Sequence, residues 1–433
     1  MRKLLQITLK LLSKAVIKKY RPLVIGITGS VGKTSTKEAI FTVLKNRFRV
    51  RRAVGSFNTE EGLPLAVLSD WKEEELKLVS QYGPAGERLK KLLFWFGIVI
   101  SGFFKLIFTP KSKYPEILIL EYGADRPRDI GKLVEIVRPK IGVVTALGET
   151  PVHVEYYSGP EEVAKEKAKL IQALPPNGLA ILNHDDLAVF KMKDLGLAEA
   201  MTFGFNQHAD VVASDVSYFI GGGSNGNGLG AGLSFKLNYQ NIVIPFRLAN
   251  ALGRHQIYAA LAATAVGIHF GMNLIEISEA LRSFEFPKQR MKLLRGVKDS
   301  WIIDDSYNAS PLSTHAALET LKEFGDKIIS RTGAGRKIAV LGDMKELGKF
   351  TEKAHRLIGN LAGEMTEYLF TVGPAAKFIA DSAFNQLPKE NIMSFDLAGE
   401  AGEWLKKFIQ EGDVVLVKGS RAMKMEKIIE LLT

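Results

Sequence analysis

The segment GITGSVGKTST, residues 26–36, constrains the fold of this chain more than any other feature. It follows an apolar run, Leu23–Thr28, that is typical of a buried strand, and it opens a helical pattern over Lys33–Leu44. Glycines in this context let successive backbone N–H groups point at a phosphate beside a helix N-terminus. We expect Lys33 to reach the β- and γ-phosphates of a nucleotide and the Thr34 hydroxyl to bind Mg²⁺.

The rest of the chain alternates short apolar runs with helical patterns, which is typical of a mostly parallel sheet with crossover helices. Further strands are predicted at 116–120, 141–145, 178–182, 301–304, 337–341, 368–372 and 413–417, and helices at 161–174 and 254–270. The glycine-rich segment 219–232 is predicted to be a loop between strands, because no helix follows it. The sequence therefore predicts an α/β fold with a doubly wound phosphate-loop domain over 21–287 and a smaller α/β domain over 288–433.

Composition excludes several classes of site. The absence of cysteine excludes disulfides, thiolate zinc sites, iron–sulfur clusters and a cysteine nucleophile, and it fits a reducing cytoplasm. The net charge is +11, but residues 1–21 contain seven basic residues and no acidic one. The remaining chain is too weakly basic to indicate a nucleic-acid partner.

Residues 1–20 predict a basic amphipathic helix, with Leu5, Leu9, Leu12 and Val16 on one face. Lysines interrupt every apolar stretch, so the segment is not typical of a signal peptide. Two interpretations stay open. The helix packs on the domain with its basic face in water, or it lies on an anionic membrane surface.

A second apolar segment, 92–104, carries no charge, and its apolar character continues to residue 108. It belongs to an insertion at about 84–113 and is flanked by lysines. The segment is shorter than the roughly 20 residues of a spanning helix. It is either a buried hairpin or core helix, or an interfacial or re-entrant segment, since aromatic clusters with basic flanks are typical of membrane interfaces.

Motifs along nearly the whole chain, residues 22–433, resemble those of the Mur ligases. Residues 29–36 resemble their nucleotide loop. Further blocks follow in the family's order: FNTEEGLPLAVL from Phe57, LEYGADRPRDI from Leu120, VTALGETPVHVE from Val144, VAKEKAKLI from Val163, LGRHQIYAALAA from Leu252, DDSYNASPLS from Asp304, LGDMKELG from Leu341 and LVKGSRAMKMEKII from Leu416. The DDSYNA and LGDMKELG blocks look most like the D-alanyl-D-alanine-adding branch.

This resemblance implies an ATP- and Mg²⁺-dependent carboxylate–amine ligase whose smaller domain is Rossmann-like. In the family, a carboxylate attacks the γ-phosphate of ATP, and an amine then displaces phosphate from the acyl phosphate. We expect small-molecule substrates in the cytoplasm: a cell-wall precursor peptide and an amino acid or dipeptide such as D-alanyl-D-alanine. A ligase for a lipid-linked or non-peptidoglycan carboxylate, a phosphate-loop NTPase without ligation and a non-catalytic partner of a related ligase are the alternatives.

The resemblance also implies roles for individual residues. Catalytic roles fall to Lys33, His153, Lys167 and Arg290. Nucleotide contacts fall to Gly29, Ser30, Gly32, Lys33, Thr34, Ser35, Gln256, Arg290 and Asp305. Mg²⁺ contacts fall to Thr34, Glu121, His153 and Lys167, the last as a carbamylated lysine. Substrate contacts fall to Asn58, Asn308, Lys345, Lys418 and Ser420.

Several positions depart from the family pattern. Ile27 stands where a strict phosphate loop has glycine, and Ala146 and Gln289 replace the family's asparagine and glycine. Gln256 and Ala259 replace two asparagines of the helix that contacts the adenine region, so the resemblance leaves base selectivity open.

Most members of the family begin with a separate domain that binds a UDP-sugar donor, whereas here the phosphate loop begins at Gly26. We therefore expect a carboxylate donor that is not held in the usual way. One hypothesis is a lipid-linked donor at a membrane surface contacted by residues 1–20 and 92–108. The other is a separate protein that supplies the donor-binding domain.

Overall fold

The computed structural model describes residues 2–53, 55, 57–69, 71, 75, 88–221 and 230–433. The chain forms two compact units. Unit 1 comprises Met1–Ala146, Glu161–Val212 and Ala259–Leu281, and unit 2 comprises Leu147–Pro160, Ala213–Tyr258 and Arg282–Thr433. Leu147–Pro160 and Ala213–Tyr258 precede the predicted boundary at 287 but belong to unit 2. The predicted functional boundaries at 20 and 287 stay predictions.

The sheet of unit 1 is parallel, with strand order β2-β3-β1-β4-β5-β6 followed by the start of β7. Its strands are β1 (Leu23–Thr28), β2 (Val50–Arg52), β3 (Ile117–Glu121), β4 (Ile141–Val144), β5 (Leu179–Asn183), β6 (Glu199–Gly204) and β7 (Val211–Ile220). Strands β3, β4 and β5 are buried along their whole length, which is typical of parallel strands covered on both faces. The order reverses at β1, so this sheet is doubly wound as predicted.

The helices associated with unit 1 include a long apolar one within the predicted insertion. They are α1 (Arg2–Tyr20), α2 (Lys33–Leu44), α3 (Gly62–Leu68), α4 (Arg88–Phe108), α5 (Asp129–Ile136), α6 (Pro160–Gln172), α7 (Leu187–Phe190), α8 (Ile257–His269) and α9 (Leu274–Arg282). In α1 the buried side chains Leu9, Leu12 and Val16 lie on the face predicted to be apolar.

Helix α4 is the main correction to the sequence-based interpretations. It is one continuous helix, and only 11% of its apolar stretch Lys90–Phe108 is buried. The interpretation as a buried hairpin or core helix is therefore wrong. By length and composition alone, this stretch is sufficient to cross a membrane.

Unit 2 contains a hairpin and a six-stranded sheet. Strands β8 (Ala231–Tyr239) and β9 (Ile242–Ala249) pair antiparallel. The sheet has the order β10-β11-β15-β12-β13-β14 and is parallel except for the edge pair β10–β11. Its strands are β10 (Lys292–Arg295), β11 (Trp301–Asp305), β12 (Lys337–Gly342), β13 (Tyr368–Val372), β14 (Ile392–Phe395) and β15 (Val414–Lys418).

The helices of unit 2 cover this sheet around a core that includes Ile302, Val340, Phe370 and Val417. They are α10 (Pro311–Thr332), α11 (Thr351–Met365), α12 (Lys377–Ala383), α13 (Ala398–Phe408) and α14 (Glu426–Leu432). Most of the predicted loop at 219–232 lies outside the described residues, and its ends, Phe219–Ile220 and Ala231–Gly232, belong to β7 and β8.

Candidate active site

The loop between β1 and α2 has the conformation of a phosphate cradle. Gly29 and Gly32 have φ angles of 143° and 89°, which L side chains rarely adopt. Ser30 N–H donates to the Ala146 carbonyl over 2.7 Å, and a Cβ at Gly29 would collide with the Thr145 hydroxyl. These contacts fix the loop against the end of β4. Ile27 lies inside β1, so the missing glycine of the strict motif does not disturb the cradle.

Two lysines converge on one carbonyl of this loop. The Lys33 ammonium donates to Gly29 O over 2.7 Å, and the Lys167 ammonium donates to the same oxygen over 3.2 Å. Lys167 comes from α6, far away in the sequence, which brings two predicted catalytic residues together in unit 1.

Lys167 is almost completely buried. Burial, reinforced by the nearby Lys33 ammonium, lowers the pKa of Lys167 to about 7. A neutral amine is the nucleophilic form of lysine, so a substantial fraction of this side chain is reactive near neutral pH.

The end of β3 contributes a buried carboxylate beside the cradle. Glu121 is 1% exposed, and its Oε2 lies 3.5 Å from the hydroxyl of Thr34 on the first turn of α2. Its Oε1 lies 2.9 Å from the ammonium of Lys37, which is fully buried and also donates to Gly55 O. The sequence interpretation missed Lys37, although it falls on the same face of α2 as the buried Ile40.

Asn58, a predicted substrate contact, lies against Gly123, which follows this carboxylate in the chain by two residues. Its carbonyl accepts a hydrogen bond from Gly123 N–H over 3.1 Å. A Cβ at Gly123 would lie 2.7 Å from the Asn58 side chain, so only glycine leaves room for the asparagine. The E-x-G-A motif therefore places Asn58 next to the end of β3.

The residues of unit 1 fit a nucleotide with its metal. The Ser30 hydroxyl oxygen is buried and has no hydrogen-bond partner among the described residues, as expected for a group that a phosphate completes. Ser35 is half-buried in the first turn of α2. Across the parts of the chain that the structure describes, no three His, Asp or Glu side chains cluster as a ready-made metal cage. A hydroxyl and one carboxylate suit Mg²⁺, which usually binds few protein ligands beside substrate phosphates.

Unit 2 brings three further predicted residues together. Asp305, at the end of β11, is paired with the Lys418 ammonium at the end of β15 over 2.5 Å, and both side chains are nearly buried. Lys418 also donates to the Asn308 carbonyl, and Asp305 accepts from Met291 N–H. This pair fixes the turn after β11 against the neighbouring strand.

The side chain of Gln256 contacts the backbone carbonyl of Arg290. The Gln256 amide oxygen accepts from Leu252 N–H and Gly253 N–H, and its NH₂ donates to the Arg290 carbonyl. The Arg290 guanidinium lies 4.2 Å from the ring centroid of Tyr307. Gln256 therefore supports its own helix start, and its adenine contact stays a prediction.

His255 is a titratable group near Asp305 that the sequence interpretation did not single out. Burial lowers the pKa of His255 to about 4, so the imidazole is neutral near pH 7. Its only sequence signal is its place in the block LGRHQ.

The remaining predicted residues form two neighbouring groups in unit 2. The Lys345 ammonium lies 2.7 Å from the buried Asp343 carboxylate, and Lys345 N–H donates to the Ser420 hydroxyl. His153 Nδ1 lies 2.6 Å from Glu346 Oε2, and this hydrogen bond lowers the pKa of Glu346. Glu346 is a second residue that the sequence interpretation missed.

Comparison with known proteins supports the same assignment for both units. The model of the Mur ligase middle domain matches residues 101–267, and that of the Mur ligase glutamate ligase domain matches residues 289–421. Together they match well over half of the chain.

Individual relatives extend the likeness to nearly the whole chain. The chain is 28% identical to the UDP-N-acetylmuramoyl-tripeptide–D-alanyl-D-alanine ligase of Bacillus subtilis, over 98% of this chain and 78% of that protein. It is 26% identical to the same-named ligase of Escherichia coli over 94% of this chain and 76% of that protein.

Solved structures show the same fold. The MurF ligase of Thermotoga maritima in complex with ADP superposes with a TM-score of 0.76 and 25% identity, over 98% of this chain and 83% of that chain. MurF of Acinetobacter baumannii superposes with a TM-score of 0.75 and 23% identity, over 98% and 80%. The predicted α/β fold class is confirmed, and the chain belongs to the Mur ligase family of ATP- and Mg²⁺-dependent ligases.

Proposed function

We propose that this enzyme uses ATP to join an amino acid or dipeptide, such as D-alanyl-D-alanine, to the carboxylate of a cell-wall precursor peptide. The observation that carries the proposal is the convergence of Lys33 and Lys167 on the cradle beside the buried Glu121. The match to D-alanyl-D-alanine ligases over nearly the whole chain supports this choice of incoming group.

The residues of the phosphate cradle have different roles in phosphoryl transfer. Gly29, Ser30, Gly32 and Ser35 surround the phosphates, and Lys33 leaves the Gly29 carbonyl to stabilise negative charge on the transferred group. Thr34 and Glu121 are the residues of unit 1 that would hold Mg²⁺, with His153 and carbamylated Lys167 as further proposed contacts. When bound, Mg²⁺ supplies positive charge at the phosphate oxygens.

We propose that the neutral amine of Lys167 reacts with CO₂ to form a carbamate. The lone pair of Nζ forms a bond to the carbon of CO₂, one C=O π pair moves to oxygen, and Nζ loses a proton to water. A cation becomes an anion, which reverses the repulsion that Lys167 and Lys33 now exert on each other. NMR of the protein in ¹³C-bicarbonate should give a carbamate signal that Lys167→Met lacks. If Lys165→Met loses the carbamate signal and Lys167→Met keeps it, the modified residue is Lys165 and the proposal for Lys167 is wrong.

We assign the unit 2 residues to the nucleotide and the incoming amine. Asp305 contacts the ribose, with Lys418 holding its carboxylate in place. Arg290 contacts the phosphates and Gln256 lies at the adenine. We assign substrate contacts to Asn58 of unit 1 and to Asn308, Lys345, Lys418 and Ser420 of unit 2.

The test is phosphate release from ATP and Mg²⁺ at saturating D-alanyl-D-alanine, with Lys33→Ala as the inactive control. UDP-muramyl tripeptide, its lipid-linked counterpart and a no-donor sample are compared. Donor-dependent release together with a product of the ligated mass supports ligation. Equal release without donor would contradict it and favour an NTPase without ligation.

The donor form is the finer part of the proposal. The exposed apolar side chains of α4 favour a lipid-linked carboxylate, handled by a cytoplasmic enzyme that is peripheral at the inner face of the membrane. Stimulation by the UDP form alone would overturn this and leave a UDP-linked donor. Activity that appears only after a second protein is added would indicate a separate donor-binding partner.

A further inference from the structure

Helix α4 exposes a continuous apolar stripe. Leu93, Phe96, Ile100, Phe104 and Phe108 recur every three or four residues, and their exposed fractions are 59%, 64%, 40%, 58% and 70%. This spacing places them on one face of the helix. The stripe therefore runs along α4 from Leu93 to its end at Phe108.

The adjacent helix α1 exposes a shorter stripe of the same kind. Leu4, Ile7 and Leu11 are all more than half exposed, and the same face continues as Lys14 and Lys18. We call the exposed stripes of α1 and α4 the apolar surface. Isolated surface leucines are ordinary, whereas two packed helices that each expose an apolar stripe are typical of an interaction surface.

The opposite face of α4 is held by the protein. Ile98 is buried, and Gly102 packs closely on Leu12 of α1, since a Cβ at Gly102 would lie 2.3 Å from Leu12 Cδ2. The Tyr20 hydroxyl donates to the carbonyls of Lys105 and Thr109. These contacts keep α4 lying along unit 1.

The two helices that expose the stripes carry charge of one sign, and the neighbouring acidic residue Glu135 is paired with Lys10 of α1. Neither α1 nor α4 contains an acidic residue. Exposed lysines beside the stripes include Lys14, Lys18, Lys90, Lys111 and Lys113. Protein interfaces are depleted in lysine, whereas anionic lipid headgroups attract it and its long stem reaches them from an apolar position.

We propose that the apolar surface is an in-plane anchor for an anionic lipid bilayer. Phe96, Phe104 and Phe108 enter the boundary between headgroups and acyl chains, and the lysines contact the headgroup phosphates. The inner face of α4 stays packed on α1, so the helix lies in the interface and does not cross the bilayer. This inference deepens the membrane part of the proposed function and does not depend on the ligase chemistry.

The test is co-sedimentation of the full chain with vesicles of phosphatidylcholine alone or mixed with phosphatidylglycerol, in the absence of ATP and substrates. Three double variants are compared with the wild type. Phe96→Glu with Phe104→Glu disrupts the stripe, and Lys14→Glu with Lys18→Glu reverses the charge. The matched control, Leu187→Glu with Leu197→Glu, changes two exposed leucines elsewhere on unit 1.

We expect the wild type and the leucine control to bind anionic vesicles, and binding to weaken as salt rises. The phenylalanine variant should bind at least roughly tenfold more weakly, and the lysine variant several-fold more weakly. Unchanged thermal unfolding of each variant shows that the loss is not caused by misfolding.

Three outcomes would overturn the proposal. One is a sedimentation result in which the phenylalanine variant binds vesicles no more weakly than the wild type, including the case in which neither binds. Another is a concentration-dependent dimer that the phenylalanine variant abolishes, which would make the surface an interface between copies of this chain. The third is that the vesicle-bound wild type resists extraction at alkaline pH, which would show that the helix spans the bilayer. Because no substrate is present, a failed ligase assay leaves this result untouched.

Discussion

The Lys37 ammonium and the Glu121 carboxylate form an ion pair of 2.9 Å with both side chains buried. The pair joins the first turns of α2 to the end of β3, directly beside the phosphate loop. A buried carboxylate is tolerated because this cation balances it, and both charges lose most of their hydration. The proposed metal ligand is therefore held in position by a lysine before any metal binds.

Replacing Lys37 by methionine should lower the free energy of unfolding by about 3–5 kcal/mol, because Glu121 is left buried without its cation. Mg²⁺ should stabilise this variant more than the wild type, since it restores a positive charge at Glu121. Thermal unfolding with and without Mg²⁺ measures both effects. Lys132→Met, which breaks a half-exposed pair with Glu60, is the control and should cost less than about 1 kcal/mol. A Lys37→Met protein as stable as this control would contradict the prediction.

Gly29→Ala should weaken ATP binding by roughly 100-fold or more, because the positive φ is strained for alanine and its Cβ collides with Thr145. Calorimetric titration with a non-hydrolysable ATP analogue gives the affinity. Gly131→Ala is the matched control, since Gly131 lies in α5 and a Cβ added there would meet open space. The control should bind normally and gain about 0.4–1 kcal/mol in stability. Normal affinity in Gly29→Ala would exclude this loop as the nucleotide cradle.

Lys167 should make the folded state more stable as pH rises from 7 toward 10.5 in CO₂-free buffer. In this window the folded pKa of about 7 leaves Lys167 neutral, while the unfolded chain, with a pKa near 10.5, still binds the proton. The unfolded state binds more protons, so stability increases with pH, by about 3–5 kcal/mol in total relative to Lys167→Met. Below pH 7 Lys167 is protonated in both the folded and the unfolded state, so the stability difference between the wild type and Lys167→Met no longer changes with pH. Denaturant unfolding of the two proteins from pH 6 to 10 gives the slope, and parallel curves would refute it.

Lys418→Met should lower the free energy of unfolding by about 3 kcal/mol, since it leaves the Asp305 carboxylate unbalanced in a buried site. The double variant Asp305→Asn with Lys418→Met should cost less than the sum of the single changes, because each side chain acts through the other. Chemical denaturation of all four proteins completes the cycle. Arg356→Met, at an exposed helical pair with Glu352, is the control and should be nearly neutral. Additive costs would mean that the two residues stabilise unit 2 independently.

Most strands were predictable because their apolar runs are short and bounded. The prediction for Tyr368–Val372 matches its strand, and those for β3 and β15 are displaced by one residue. The phosphate loop was predictable for a related reason: its glycines specify backbone angles that few other residues adopt. In these cases local sequence alone determines the conformation.

Tertiary features were not predictable in the same way. Sequence places Lys37 on the same helix face as Ile40, but only the position of Glu121 explains why a lysine is buried there. The pairing of His153 with Glu346 joins segments that no local pattern connects. For α4, hydropathy predicted an apolar segment but not the face that packs on the protein. The contact of Gly102 with Leu12 identifies that face.

The reversal of strand order at β1 has a consequence for engineering. The backbone ladder sets Ile27 opposite Glu121 and Thr28 opposite Val144, so three strand ends stand at fixed heights relative to one another. A substitution at one of these ends keeps the register of the ladder, whereas a single inserted residue shifts a whole strand end. At these strand ends the scaffold therefore tolerates substitution better than insertion, and length variation is best confined to distant loops.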